Sequence, residues 1–254
     1  MSWINPFNKL KGRPAGKLTT DNDFERQVAR FNEMENATKK VYKGMKKYDE
    51  AVTALGKAEQ KIYQDLAANL IAQTDPLKEQ VDDHVTATAK LDELRQLLVS
   101  RNKSTVVEPL KRFNHAFPRV NEAIKSREQS LIEYAKQQAK AEKLTEKEKQ
   151  PQNPTKIEQA KQDLAKAKAN FERQNATILE ELPLLIEGRI AYFEPSFEAL
   201  IRSEASYYND AVQVLTELTN RYNKSREPLS VDQQEKQLEQ KLADLKALSI
   251  TEDE

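Results

Sequence analysis

The 254-residue sequence contains no cysteine and only five glycines, none of them between Lys57 and Glu187. Without cysteine, disulfides and thiolate metal sites are both excluded. No P-loop, glycine-rich dinucleotide turn or nucleophile elbow is present, so nucleotide-dependent and hydrolase chemistry find no support. We therefore expect that the protein is not an enzyme. No apolar run is long enough to span a bilayer or to form the core of a secretory signal, so we expect a cytoplasmic protein.

The composition favours an extended helical protein over a compact one. Charged residues make up 32% of the chain and the mean hydropathy is -0.82, which is low for a chain built around one globular core. The net charge is zero, yet residues 1–20 hold four basic residues and no acid. A narrow apolar seam within a solvated helical rod fits these values.

Apolar spacing predicts an all-α fold with three long helices at about 21–70, 76–149 and 154–223. Asp21 is a plausible N-cap for the first helix, and Pro76 falls in the first turn of the second. Helices this long require a bundle, and we expect their exposed seams to need a second copy of the chain. The predicted domains are a basic amphipathic segment at 1–20, the bundle at 21–225, and a short amphipathic helix with an acidic tail at 226–254, opened by a capping box at Ser230–Gln233.

Each predicted helix carries apolar residues at steps of three and four. On the first they are Phe24, Val28, Phe31, Met34, Val41, Met45, Tyr48, Val52, Leu55, Ile62 and Leu66. On the second they are Val106, Leu110, Phe113, Phe117, Val120 and Ile124, and on the third Leu182, Ile186, Ile190, Phe193, Phe197 and Leu200. These positions are the predicted core.

Four prolines interrupt the two longer helices at matching heights. If the chain turns back at residues 150–154, Pro109 lies level with Pro195, and Pro118 lies close to the level of Pro183. A proline can end a helix or kink it. Because the apolar spacing continues through all four, we predict continuous helices that are kinked together.

The sequence supports neither a histidine metal site nor nucleic-acid binding. His84 and His115 stand far apart in the sequence, and neither has a second ligand at metal-site spacing, so we expect no metal and no cofactor. His84, beside Val81 and Val85, is interpreted as a bundle-edge residue. The aromatic residues mostly fall on the apolar seam instead of alternating with basic residues, so nucleic-acid binding is not predicted.

Several motifs resemble the N-BAR family of amphiphysin. They are Glu108-Pro109-Leu110, Phe117-Pro118, Arg127, Leu131, Tyr134, Glu181-Leu182-Pro183 and Arg189. Three others are more similar to the bridging integrator 3 branch: Met1-Ser2-Trp3-Ile4, the segment 192–198 (YFEPSFE) and the segment 245–250 (LKALSI). The resemblance covers essentially the whole chain.

This resemblance implies a crescent-shaped antiparallel BAR homodimer, built from a long kinked three-helix coiled-coil bundle, that senses or generates membrane curvature. It also implies links to actin organisation, endocytosis and cytokinesis, to Rho-family GTPases, and to a heterodimer with a related BAR protein as an alternative. The expected location is the cytoplasm, peripheral membrane and cortical cytoskeleton. Because the sequence ends at Glu254 with no strand-rich module after the helices, we expect no Src-homology-3 domain.

Membrane binding by such a dimer requires cations on a rigid face. The hairpin tip offers Lys136, Lys140, Lys143, Lys147, Lys149, Lys156 and Lys161, followed by Lys166 and Lys168. A possible concave face comprises Lys39, Lys40, Lys43, Lys111, Arg112, Lys125 and Arg127. Glutamates lie among the tip lysines, so a solvated helix face is the alternative interpretation.

The first residues offer a second membrane contact. Trp3, Ile4, Phe7 and Leu10 fall on one helical face, with basic residues among them, as in an interfacial insertion peptide. Prolines and glycines limit any such helix to about two turns, so insertion would be shallow. A disordered tail, or one that packs on the bundle through Trp3, is the alternative. A cytoskeletal scaffold that binds actin-regulating proteins or GTPases, with little direct lipid binding, remains the alternative function.

Overall fold

The computed structural model describes residues 19–73, 77–146, 154–225 and 229–248. Within these ranges the chain is helical and contains no strand, which confirms the all-α prediction. The helices are α1 (Thr19–Ala68), a 3₁₀ turn (Leu70–Gln73), α2 (Leu77–Asn102), a π-helical segment (Lys103–Val107), α3 (Glu108–Asn114), α4 (Phe117–Glu146), α5 (Pro154–Ser225) and α6 (Val231–Lys246).

The second predicted helix passes Pro109 by changing its hydrogen-bond pattern. In the segment Lys103–Val107 the pattern is π-helical, and the Glu108 N–H donates to the Lys103 carbonyl five residues earlier. Proline has no N–H, so one carbonyl of a regular α-helix would lose its partner here. The five-residue pattern shifts the pairing past the proline, and the chain stays helical.

At Pro118 the prediction of an uninterrupted helix is wrong. A two-residue turn, His115 and Ala116, separates α3 from α4. The Ala116 N–H donates to the Phe113 carbonyl at 3.0 Å, which closes the end of α3. Pro118 then falls in the first turn of α4, where a missing N–H costs little.

The return helix α5 is continuous over 72 residues, and Pro183 and Pro195 both lie inside it. Its predicted continuity through both prolines is therefore confirmed. The Tyr192 hydroxyl donates to the Pro109 carbonyl at 3.1 Å, which supports the predicted match in height between Pro109 and Pro195.

Two compact units make up the chain. The first combines the described residues up to Asp49 with Arg101–Arg202, and it holds an aromatic and aliphatic core. That core consists of Phe24, Val28, Phe31, Met34, Phe117, Ile124, Ile178, Leu182 and Ile186. Phe31 and Phe117 are fully buried and meet edge to face, with ring centroids 5.7 Å apart. The predicted core of this unit is largely confirmed.

The second unit combines Glu50–Ser100 with the described residues from Ser203 onward. Its buried residues are smaller or more polar: Ala72, Val81, Ala87, Thr88, Leu91, Arg95, Leu98, Ser203 and Ala211. Small side chains let helices approach closely, as Gly56 shows. A β-carbon there would lie 2.5 Å from Asp92 Oδ1 and 3.3 Å from Arg95 Cδ.

Several residues predicted for the core are instead exposed. They are Val41, Leu55, Ile62 and Leu66 on α1, and Ile190 and Phe197 on α5. The spacing was correct, but the residues belong to a second apolar stripe on another side of the same helix. A helix with apolar residues on more than one side is typical of one that packs in a larger assembly.

The short helix α6 begins as predicted. The Gln233 N–H donates to Ser230 Oγ at 3.3 Å, and the Ser230 N–H donates to Gln233 Oε1 at 3.0 Å. This is the complete capping box, and it satisfies two N–H groups at the helix start. Helix α6 buries none of its residues.

Candidate functional site

The described lysines of the α4–α5 hairpin are all exposed. Some of them form an ion pair with an acidic side chain, and others do not. Lys140 reaches Asp163 across the hairpin at 3.7 Å, and Lys136 reaches Glu133 at 3.4 Å. A second set of lysines has no acid within 4.0 Å in the part of the chain that the structure describes. These lysines are Lys143, Lys156, Lys161 and Lys166. We call this set the free hairpin lysines.

A second group of lysines lies on α1, where Lys39, Lys40, Lys43, Lys46 and Lys47 are all exposed. Lys39 pairs with Glu35 at 2.6 Å. Their spacing places the five on one side of the helix. Lys111, Arg112 and Lys125 are also exposed, and Lys111 lies 3.9 Å from Glu108.

Arg127 does not belong to a membrane-facing surface, and this assignment is corrected. Only 2% of the residue is exposed. Its guanidinium carbon lies 3.9 Å from the ring centroid of Phe24 and 4.8 Å from that of Phe171, and Nε donates to Asn175 Oδ1 at 2.9 Å. Cation–π contacts and a hydrogen bond offset the cost of burying the charge. Arg127 therefore joins α1, α4 and α5 in the first unit.

The sequence contained a signal for this role. Arg127 follows Ile124 by three residues, so it continues the apolar seam of α4 into the core. An arginine in phase with a seam is a candidate for burial against aromatic rings, because its flat guanidinium stacks on them.

Some predicted site residues lie outside the described residues. They are the N-terminal group Trp3, Ile4, Phe7 and Leu10, and the tip lysines Lys147 and Lys149. Their predicted roles stay predictions.

Sequence reasoning missed two interhelical polar contacts. Arg95 Nη2 lies 2.5 Å from Glu59 Oε2 in the second unit. In the first unit, Asn102 Nδ2 donates to Asp49 Oδ1 at 3.0 Å, and Asn102 is fully buried. Burial raises the pKa of Asp49, and the hydrogen bond from Asn102 partly offsets that rise. Matched heights of polar residues on α1 and α2 were the available signal.

His84 is a half-buried bundle residue, as predicted. Its ring stacks on Tyr63 with centroids 4.8 Å apart, and its Nδ1 lies 3.0 Å from the Tyr222 hydroxyl. Both tyrosines and His84 line a mostly apolar cavity of about 230 Å³ in the second unit, which also involves Leu66 and Ile71. Burial raises the pKa of Tyr222, and nearby Tyr63 and Asp83 add to the effect.

Six of the exposed apolar residues of α5 form one stripe, which we call the outer stripe: Ile190, Phe197, Ile201, Tyr208, Val212 and Leu215. Their steps of seven, four, seven, four and three residues are those of a coiled-coil seam. Each is between 48% and 66% exposed. The second unit adds further exposed apolar residues on α1 and α2: Leu55, Ile62, Leu66, Leu77 and Leu97.

Across residues 19–248, apart from the short undescribed gaps, no group of three or more histidine or acidic side chains is placed to hold a metal ion. Nor does any helix in these ranges combine the length and apolar content that crossing a bilayer requires.

Comparisons with known proteins agree with this geometry. Residues 13–224 match the family model of the BAR domain. Bridging integrator 3 of Mus musculus is 39% identical over 264 residues, with 100% of both chains covered. The regulator of cytoskeleton and endocytosis RVS161 of Candida albicans is 25% identical, with 99% of this chain and 98% of that protein covered. Among solved structures, the amphiphysin BAR domain from Drosophila aligns with a TM-score of 0.69 at 21% identity, covering 84% of this chain and 97% of that one.

The long, antiparallel helical hairpins and the structural match define a BAR-type helical bundle. The chain belongs to the BAR domain family, and it is similar along its whole length to bridging integrator 3. BAR domains form homodimers and bind membranes, and they are membrane-remodelling proteins rather than enzymes.

Proposed function

We propose that this protein works as a dimer that binds anionic membranes and senses or generates their curvature. The observation that carries the proposal is the set of free hairpin lysines, exposed at one end of a BAR-type bundle. A lysine without an acidic partner loses no existing ion pair when it meets a lipid phosphate. Each lysine or arginine close to an anionic leaflet contributes about 1 kcal/mol, and the field fades within a Debye length of about 10 Å.

The α1 lysines and the exposed residues Lys111, Arg112 and Lys125 are proposed as a second membrane contact. Lys40, Lys43, Lys46 and Lys47 have no acid within 4.0 Å in the described ranges, so they too are available to phosphate groups. A curved membrane would engage both this group and the hairpin end, whereas a flat one would reach fewer of them. Such a difference is the physical basis proposed for curvature sensing.

Dimer formation is supported by the outer stripe. A half-exposed coiled-coil seam leaves apolar area in water, and this costs about 25 cal/mol per Å². A second copy of the chain would cover it, as in other BAR domains, which form homodimers. Two copies also double the number of lysines that bind one membrane, which raises the overall affinity.

The cellular role is proposed from the relatives. The Candida albicans protein is named a regulator of cytoskeleton and endocytosis, and it resembles this chain along nearly its whole length. We propose that the present protein acts in the same two processes, and in addition in cytokinesis, in the cytoplasm at membranes and the cortical cytoskeleton. Actin-regulating proteins, Rho-family GTPases and a related BAR chain are its proposed protein partners.

Co-sedimentation with liposomes tests membrane binding. The charge-reversal variant carries Lys143→Glu, Lys156→Glu and Lys161→Glu, and its matched control carries Lys78→Glu, Lys236→Glu and Lys241→Glu, which are exposed lysines outside the proposed surfaces. Losing three lysines at about 1 kcal/mol each weakens binding to phosphatidylserine-containing vesicles by about a hundredfold. The control loses far less, and wild-type binding falls steeply as salt rises.

One observation favours the scaffold function. Helix α6 exposes Leu238 and Leu242 on one side, and with four acids and three lysines it has little attraction for an anionic surface. An exposed leucine stripe of this kind suits a protein partner. If a folded wild-type dimer fails to bind the vesicles, or if the two triple variants bind equally, the lipid proposal is wrong and the scaffold function takes its place.

A further inference from the structure

The side-chain amide of Asn102 is only half satisfied by the residues that the structure describes. Asn102 is 0% exposed, and its Nδ2 donates to Asp49 Oδ1 of α1 at 3.0 Å. Its other polar atom, Oδ1, is buried and has no donor among the described residues. A buried acceptor without a donor destabilises the fold, and most buried polar groups have a partner. A donor on the neighbouring Asp49 would remove this cost.

The protonation state of Asp49 decides whether such a donor exists. An ionised carboxylate only accepts hydrogen bonds, so it can satisfy Nδ2 of Asn102 but not Oδ1. A protonated carboxyl has one O–H donor besides its acceptor oxygen. A carboxylic acid and an amide that lie side by side can therefore form two hydrogen bonds, one in each direction. The first of the two is present between Asn102 Nδ2 and Asp49 Oδ1.

We propose that Asp49 and Asn102 form a proton-operated clasp between α1 and α2, in which Asp49 takes up a proton in mild acid and donates it to Asn102 Oδ1. The proton comes from solvent, which Asp49 reaches because it is only half-buried. Both residues lie in the first unit, so the clasp acts within that unit. It operates whether or not the protein binds membranes, and so it goes beyond the proposed function.

Burial favours the protonated form of Asp49. It is the largest influence on this carboxyl and raises the pKa of Asp49, whereas the hydrogen bond from Asn102 Nδ2 lowers it. The charged residues nearest in sequence or in height along the helices are exposed: Lys46 and Glu50 on α1, Arg101 and Lys103 beside Asn102, and Arg202 on α5. Arg202 is held by Glu198 at 2.6 Å.

The effect on stability has a definite sign. Because burial raises the pKa of Asp49, the folded protein holds this proton at a higher pH than the unfolded chain does. The stabilisation is therefore present in acid and is lost as pH rises through the folded pKa. It is complete below about pH 3.9, the ordinary value for an aspartate.

The clasp lies where the helix changes its hydrogen-bond pattern. Asn102 directly precedes the π-helical segment Lys103–Val107, which carries the chain past Pro109. Single π-helical turns within α-helices are frequent at functional sites. Closing the clasp fixes the start of this segment to α1.

The variant Asp49→Asn tests the clasp at neutral pH, because asparagine copies the protonated acid. Its carbonyl can accept from Asn102 Nδ2, and its N–H can donate to Asn102 Oδ1. In urea unfolding of the full-length protein at pH 7.5, we expect the unfolding constant of the variant to be about tenfold lower than that of wild type. As pH falls toward 4, wild type takes up its proton and the two proteins should converge.

Two results would overturn the proposal. One is a variant that is no more stable than wild type at pH 7.5, because the ionised carboxylate would then be the form that Asn102 prefers. The other is a gain that stays constant as pH falls to 4, because it would not arise from the Asp49 proton. All samples are compared at one protein concentration, so that association contributes equally.

Glu50→Gln is the matched control. Glu50 is the next residue of α1, it is exposed, and its substitution removes the same charge. Its unfolding constant should stay within about twofold of wild type at each pH. An equal gain from this control would mean that lower helix charge, and not Asn102, explains the result.

A measurement on wild type keeps the test decisive if Asp49→Asn fails to fold. In full-length protein with isotope-labelled asparagine, the side-chain N–H signals of Asn102 are assigned by their absence in Asn102→Ser. We expect them to shift in one step, with a midpoint above about pH 3.9, as Asp49 takes up its proton. Signals that do not move, or that move only below that pH, contradict the clasp.

Discussion

The two units of the chain bury their apolar residues to different degrees. The first unit packs Phe24, Phe31 and Phe117 with aliphatic residues from α5, although it also exposes part of the outer stripe. The second unit fills its interior with alanine, threonine, serine and only a few larger side chains, and exposes leucines and isoleucines on α1 and α2. Exposed apolar residues in this number are typical of a surface that meets a partner.

This difference indicates which half of the chain depends on a partner. The first unit has an aromatic and aliphatic core, and it also carries the free hairpin lysines. The second unit leaves many of its large apolar side chains in water, and covering them would add to its apolar burial. Substitutions at buried apolar positions should therefore act on folding, and substitutions at exposed apolar positions should act on assembly.

The largest effect is expected from Phe31→Ala, which should destabilise folding by about 3–5 kcal/mol because it removes a fully buried ring and its edge-to-face contact with Phe117. Phe197→Ala, at an exposed site on α5, should leave urea unfolding of the dilute monomer almost unchanged and weaken the dimer instead. Urea titration and sedimentation equilibrium measure the two effects. Equal losses of monomer stability in both variants would contradict the contrast between inner and outer apolar residues.

Glycine-to-alanine substitutions at two sites of α1 separate an open helix face from a closely packed one. A β-carbon added at Gly44 would have no neighbouring atom within 4 Å, so Gly44→Ala should stabilise the helix by up to about 1 kcal/mol through helix propensity. At Gly56 the same β-carbon meets Asp92 Oδ1 at 2.5 Å, and the displaced side chains should cancel that gain. Thermal unfolding of both variants measures the difference, which we expect to be about 1 kcal/mol. An equal rise in the stability of both variants would show that the α2 side chains beside Gly56 move aside at little cost.

The smallest effect concerns pH and the cavity of the second unit. Because burial raises the pKa of Tyr222, the neutral phenol is favoured in the folded state. Above about pH 10 the unfolded chain ionises first and binds fewer protons, so the stability that Tyr222 contributes is lost as pH rises through its folded pKa. Tyr222→Phe should remove this loss. Parallel alkaline unfolding curves for the two proteins would show that Tyr222 does not contribute.

Much of the architecture was predictable because the spacing of apolar residues in the sequence shows which of them share a helix face. The steps of three and four through Leu110, Phe117 and Ile124 located the core of the first unit, and Ser230–Gln233 located the start of α6. Both signals are local. They depend on which residues share a helix face and not on what the face meets.

What the sequence left open is the rotation of each helix about its axis. Ile190 and Phe197 have the spacing of core residues, yet they face outward, because the same period marks an inner or an outer stripe. Arg127 was assigned to a surface by its charge, although its phase placed it in the core. The predicted lysine surfaces at the hairpin have the same ambiguity, and only binding measurements will test them.

The π-helical segment is a place where the gene could lose one codon without disturbing the apolar repeat. Apolar positions Leu91 and Leu98 are separated by seven residues, whereas Leu98 and Val106 are separated by eight, so the segment Lys103–Val107 holds one residue more than the repeat requires. Loss of one codon here would leave a regular repeat with both flanks still in phase. Loss of a codon within α4 would instead turn the following residues by about 100°, moving Ile124 away from the core. The chain therefore has a site, beside Pro109, at which a single-residue deletion spares the heptad pattern that its helices share.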